Sequence, residues 1–72
     1  MTLERKAIRR GGIRSAGYDR ERRILEVEFD SGRIVQHGGV GEEIARRFLA
    51  SSSPASHYRD NIEEEYPQKR IR

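Results

Sequence analysis

From Arg23 to Asp30 apolar and acidic residues alternate. Leu25, Val27 and Phe29 take one parity, Glu26 and Glu28 the other, which is the period of a strand with one buried and one wet face. The run stops at Asp30-Ser31-Gly32 and resumes as a second short run ending at His37, so the segment predicts a β-hairpin. Its register depends on the loop. A two-residue Ser31-Gly32 loop would bring Ile34 and Gln36 onto the face of Leu25, Val27 and Phe29. A three-residue loop, a type I turn with Gly32 in the left-handed position, brings Arg33, Val35 and His37 there instead. Glycine stands third, where the longer loop needs a positive φ, and this favours the second form. Val35 then packs on Val27, and His37 lies near Leu25 at the edge of the core.

The flanking patterns are shorter. Residues 1 to 12 show no apolar period and end in Gly11-Gly12, which predicts a loose basic segment. Ile13 to Asp19 reads as a first strand, with Gly17 marking a bulge or a close backbone approach. After Gly38-Gly39, Val40, Ile44, Ala45, Phe48 and Leu49 form an apolar stripe on a helix running to about Ser51. Glu42 and Glu43 sit in its favourable first turn, and Arg46 and Arg47 lie on the far side. "SSSP" at 51 to 54 stops that helix. Ser56 reads as the N-cap of a second, shorter helix that carries Tyr58, Ile62 and Tyr66 on one stripe and is closed by Pro67. The predicted fold is α+β, a three-stranded antiparallel meander packed against one α-helix plus a short C-terminal helix. It spans residues 13–67 and leaves 68–72 as a basic tail. The expected core is Ile13, Leu25, Val27, Phe29, Val35, Val40, Ile44, Phe48, Leu49, Ile62 and Tyr66.

Composition narrows the function. Seventy-two residues, 33% of them apolar and none cysteine, make one small domain without disulfides or a cysteine-based zinc site, and leave little for a deep pocket. No apolar run reaches the ~20 residues of a membrane span, and the N-terminus is charged rather than signal-like, so a soluble, cytoplasmic protein is expected. Thirteen of the fifteen basic residues are arginine and the net charge is +3. Arginine's planar fork suits phosphates and base edges, although a GC-rich genome gives the same bias. The basic residues concentrate in 1–14 and 69–72, whereas 55–65 is acidic, a modest sign of an anionic partner that solvated termini would also produce.

Catalysis finds no support. His37 and His57 can be joined on paper to serines and acids, but no nucleophile-elbow spacing is present and no enzyme is expected. The same histidines lack metal-ligand spacing, and Gly38-Gly39 precedes a helix whose first turn is already acidic, with no phosphate-loop motif. No cofactor, metal or small-molecule substrate is therefore expected. The strongest candidate surface is basic: Arg33 on the hairpin, Arg46 and Arg47 on the first helix, and Arg59 beside Tyr58. His37 and Tyr58 would be the rings available for stacking, with Tyr18 and His57 as the other nearby rings.

The order "SAGYD", "LEVEFDSG", a valine opening a helix at 40, "A-x-S" at 50 to 52 and a final "I-x-x-x-Y" at 62 to 66 resembles the KTSC domain. That family is named for its occurrence at the C-terminus of some lysyl-tRNA synthetases, and it also forms stand-alone small proteins. The resemblance covers about Ile13 to Pro67. It departs at Val35 and His37, where the family usually has a Tyr-x-Tyr pair, and at Ser53 to Arg59, with one apparent insertion. It implies the α+β fold and no established biochemical activity; through the synthetase association it implies RNA binding. RNA or tRNA is thus the first expected partner of a monomer. The alternative is a protein-docking module on the translation or transcription machinery.

Overall fold

The computed structural model describes residues 5–72. Its elements in chain order are β1 (Lys6–Arg10), β2 (Ile13–Asp19), β3 (Ile24–Phe29), β4 (Ile34–His37), α1 (Glu42–Ala50), α2 (Pro54–Asn61) and β5 (Gln68–Arg70). The strands form one antiparallel sheet in the order β1-β2-β3-β4-β5, five strands rather than the three expected. The two additional strands are the segments read as a loose N-terminus and a tail. Each carries too few apolar residues to show a period: adjacent Ala7 and Ile8 in β1, none in β5. Their pairing comes from backbone hydrogen bonds that hydropathy does not reveal.

The hairpin adopts the three-residue loop. Val27 pairs with Val35 and Leu25 with His37. The Phe29 N–H donates to the Arg33 carbonyl and the Gly32 N–H to the Phe29 carbonyl, both at 2.9 Å, with Gly32 at φ 92°. Ile13 and Ala16 both face the helices although they stand three apart, because the β2–β3 register shifts between Ile13 and Ser15. Such a bulge turns two residues of one strand against one of its partner. Between this face and the helices lie Ile13, Ala16, Leu25, Val27, Val35, Val40, Ala45, Phe48, Tyr58 and Ile62, with Phe29, Ile44, Leu49 and Tyr66 half-buried at the margin.

Helix α1 begins after Gly41 rather than at Val40, and keeps Glu42 and Glu43 in its first turn. Val40 is buried just ahead of it, and its carbonyl accepts the Tyr18 hydroxyl at 2.5 Å. Helix α2 starts earlier than expected, with Ser53 rather than Ser56 in the N-cap position, where its side chain makes no capping bond, and Pro54 at its first position. The prolyl nitrogen has no proton to satisfy there, so the residue that stops one helix opens the next. The helix ends at Asn61, and Tyr66 lies beyond it in a following turn.

The second face of the sheet is less wet than the alternation suggests. Glu26 and Glu28 do point away from the helices, yet Glu26 is only 1% exposed. In the strand register Gly17 is opposite Glu26, and Arg5 precedes the residue opposite Ala16. The Arg5 guanidinium therefore reaches Glu26 across a strand position with no side chain. Gln36 Nε2 donates to the other carboxylate oxygen at 2.8 Å, and the Ser15 hydroxyl donates to Glu28 at 2.8 Å. A buried carboxylate is tolerable only when paired in this way.

Gly11 joins the β1–β2 turn to α2. It has φ 60°, and a Cβ there would stand 2.7 Å from the Ala55 Cβ. We expect Gly11→Ala to cost about 2 kcal/mol in urea denaturation, combining left-handed strain with overpacking. A double-mutant cycle with Ala55→Gly should return about 1 kcal/mol of coupling; strict additivity would mean that the turn and helix do not touch.

Candidate functional site

The six residues selected from the sequence do not converge. His37 and Tyr58 are buried, and their rings belong to the core rather than to a surface. Tyr58 spans the layers, its ring 5.5 Å from Phe29 and 5.3 Å from His37 in edge-on geometry. His37 Nε2 lies 2.7 Å from the Tyr58 hydroxyl, and Nδ1 lies 3.3 Å from the Tyr66 carbonyl. A carbonyl only accepts, so Nδ1 carries the proton and Nε2 accepts from the phenol. Burial holds the imidazole below its usual range, against weaker opposite effects of the Tyr66 carbonyl and Glu63. The phenol is pushed up to about 12, chiefly by burial and then by Glu63. Both rings are thus neutral near pH 7 and serve as a polar tie between sheet and α2.

Arg46 and Arg47 sit on the outer side of α1. Arg47 is engaged with Glu43 at 2.6 Å. Arg46 lines a cleft of about 330 Å³ with Lys6, Tyr18, Glu42, Leu49 and Ala50. Arg33 lies over the Phe29 ring, 5.0 Å from its centroid, a cation–π contact. Arg59 is exposed on α2, one turn after Ala55, and so shares the flank that touches Gly11. Arg33 and Arg59 are the two selected residues that approach one end of the sheet.

That end is where the sequence pattern falls short. Antiparallel order brings the β1–β2 turn, the β3–β4 turn and the end of β5 together. The Asp30 N–H donates to the Gly12 carbonyl at 2.8 Å, and the Ile34 N–H to the Arg72 oxygen at 3.3 Å. The resulting rim carries Arg10, Arg14, Arg33, Arg70 and Arg72, with Asp30 among them. Arg10 donates to the Ser52 carbonyl at 3.3 Å, Arg14 to the Asp30 carbonyl at 3.4 Å, and Arg70 to the Arg72 oxygen at 3.2 Å. Among the described residues, no carboxylate side chain lies within ion-pair distance of Arg10, Arg33, Arg70 or Arg72, and Arg14 reaches Glu28 only at 4.0 Å. At the opposite end Arg20 pairs with Glu42 at 3.5 Å and Arg22 with Asp19 at 3.9 Å, and Arg23 is left without such a pair among the described residues. Arg10, Arg14, Arg70 and Arg72 went unselected because they fall in or beside segments without apolar period. The signal that could have found them is charge spacing about the Gly11-Gly12 turn.

Among the described residues no group of three or more His, Cys, Asp or Glu side chains is placed to hold a metal, and no helix is long and apolar enough to cross a membrane.

The geometry agrees with known proteins. The model of the KTSC domain family matches residues 11–66, and the chain belongs to that family. It is 38% identical over 56 residues to an uncharacterised protein of Stutzerimonas stutzeri strain A1501, a match covering 78% of this chain and 79% of that one. The fold superposes on the crystal structure of a KTSC domain protein from Yersinia pestis with a TM-score of 0.90 and 26% identity, over 99% of this chain and all of the other.

The His37–Tyr58 tie predicts a pH dependence. Above about pH 6.5 the imidazole is neutral in both folded and unfolded chains and contributes no slope. Below that value the unfolded chain takes up a proton that the folded chain resists, so stability falls as pH falls. Urea midpoints should therefore drop from about pH 6.5 to pH 5, and His37→Gln should flatten that slope. Tyr58→Phe, which leaves Nε2 buried without a donor, should cost about 1–3 kcal/mol at pH 7.

Proposed function

We propose that this KTSC domain protein is a monomeric, non-enzymatic RNA-binding module that works through the arginine-bearing end of its sheet. One observation supports the reading above others: the charge is uneven. At one end Arg10, Arg33, Arg70 and Arg72 stand without side-chain carboxylate partners among the described residues and Asp30 is the one acid of the turns, while at the opposite end Arg20 and Arg22 are paired and Glu21 adds a further acid beside Arg23. A net charge of only +3 then still produces a local positive field, and such a field attracts a polyanion. Guanidinium groups match phosphate oxygens in charge and in planar geometry. This reading draws the contact through the arginine-bearing end in preference to the broader face through Arg46 and Arg47.

A protein partner is the competing reading, favoured by the two open edges of the sheet at β1 and β5. An added strand would have to approach Lys6, Arg9 and Arg10 on one edge, or Lys69 and Arg70 on the other. Basic side chains on an edge are a common device against strand addition. An acidic partner strand would be needed to overcome them, and this places the reading second.

Four phosphate contacts predict a log–log salt slope of about −3 to −4 for the RNA affinity. Arg10→Glu combined with Arg33→Glu should weaken binding roughly ten-fold or more and reduce the slope by about two. Arg22→Glu at the opposite end should leave both unchanged. Fluorescence anisotropy with labelled tRNA would measure all three, and equal losses from both ends would reject a localised site.

A further inference from the structure

Phosphates are common to single-stranded and double-helical RNA, and the two are bound by different means. A single strand is held by stacking its bases on open aromatic faces, with cations following the backbone. A double helix hides its base faces and is recognised through backbone and shape. It also presents twice the charge per unit length, one phosphate per ~1.7 Å of axis against ~3.4 Å for one strand.

The arginine-bearing end has cations but no open ring. Phe29, the aromatic residue nearest the β3–β4 turn, is covered by the Arg33 guanidinium and by the edge of Tyr58. Tyr58 itself is buried and its hydroxyl is committed to His37. Tyr18 donates to the Val40 carbonyl at the far end of β2. Phe48 is buried, and His57 packs on it with ring centroids 6.2 Å apart. Tyr66 lies after α2 with its carbonyl facing His37 at the other end of β4. Every aromatic ring of the described chain is thus occupied by packing or remote from the rim. Val35 and His37, which stand where a Tyr-x-Tyr pair would offer rings, are both fully buried on the helix-covered face.

Resting on the RNA-binding reading above, we infer that the partner is double-helical RNA, or the helical stems of a folded RNA, held by its phosphates without regard to base sequence. The rim is built for breadth. Its cations are carried on β1, β2, the β3–β4 turn and β5, so they spread over the full width of a five-stranded sheet. With strands about 4.8 Å apart, that width is roughly 19 Å. A duplex advances roughly 3 Å per base pair, so the rim faces about six base pairs. Arg10, beside the α1–α2 connection, and Arg70 and Arg72, at the β5 edge, are the outermost contacts, with Arg33 between them.

The test compares the full chain binding an RNA duplex of about 12 base pairs with each of its unpaired strands, by anisotropy at roughly 50 mM salt. The duplex should bind about ten-fold or more tightly than either strand. Two duplexes of unrelated sequence should bind within about two-fold of each other, and affinity should rise with length up to about six base pairs. Arg10→Glu with Arg70→Glu should lower duplex affinity, with Arg20→Glu combined with Arg22→Glu as the charge-matched control. Single strands that bind as well as the duplex, or a strong dependence on base sequence, would overturn the inference and leave RNA binding standing. No binding of any of these RNAs at low salt would overturn both. Binding that the rim variant and its control weaken alike would show charge attraction without a site, and would reject the rim as the contact.

Discussion

The pairing of Val27 with Val35 is the constraint on which the rest of the molecule depends. It is set by three residues of loop and by the positive φ of Gly32. A slip of one residue would turn Val35 and His37 outward and drive Ile34 and Gln36 against the helices. His37 would lose Tyr58 and the Tyr66 carbonyl. Glu26 would lose Gln36, its neutral partner on the second face. In the observed register both faces are satisfied together. The apolar parity meets α1 and α2, while the polar parity builds the Arg5, Glu26 and Gln36 group. No buried side-chain nitrogen or oxygen of the described residues lacks a hydrogen-bond partner. For a chain this small that consistency matters, since one orphaned polar group costs a substantial part of a marginal stability.

The same register decides where charge can accumulate. Antiparallel strands joined by short loops send alternate connections to opposite ends, and the arginines are distributed unequally between those ends. At the Asp19 to Arg23 connection Asp19 and Glu21 stand among the arginines. Asp19 accepts from the backbone N–H groups of Glu21 and Arg22, and Arg20 reaches Glu42 at the start of α1. At the other end the turns are closed by glycines, and the only acid in them is Asp30, so the arginines have little to pair with. The acidic stretch after α2 cannot help, because the chain there is returning toward Pro67, whose carbonyl accepts the Gly38 N–H at the far end of β4. A net charge of only +3 for the molecule can therefore be concentrated at one end.

Legibility in the sequence followed burial. The β3–β4 hairpin, its loop type and α1 were readable because each buries an apolar parity or stripe. The KTSC resemblance rests largely on those same positions. β1 and β5 were not, since Lys6–Arg10 and Gln68–Arg70 join the sheet chiefly by backbone, with Ile8 as the one side chain of these strands packed on the core, and leave the rest mostly in water. Missing β1 also concealed the fate of Glu26, whose partner Arg5 is more than twenty residues away. The burial of His37 and Tyr58 was hidden for a related reason. His37 and Tyr58 are polar rings, and hydropathy placed them at the margin. In the fold each satisfies the other, and a mutually satisfied pair can be buried where either ring alone would need water. Ser56 gave way to Ser53 as helix cap because proline at the first helical position outranks its role as a terminator.

The substitutions at Val35 and His37 bear on function through this packing. Both positions lie on the helix-covered face and are fully buried, and the space in front of His37 is filled by Tyr58. A tyrosine at 37 would have to share that space with the Tyr58 ring, whereas the smaller imidazole leaves room for it and supplies the acceptor its hydroxyl requires. In this chain, then, the two positions serve cohesion between sheet and helices, and they contribute no platform for bases. The surface capable of recognition is left with guanidinium groups on a firm backbone frame: turns tied to one another through Asp30 and Gly12, and a last strand tied through Ile34 and Arg72. Cations carried on a fixed backbone frame suit a partner whose charges are themselves regularly spaced and held in place, because the backbone on neither side then has to be ordered on contact. A flexible single strand would have to be ordered at its own expense, with no stacking to compensate.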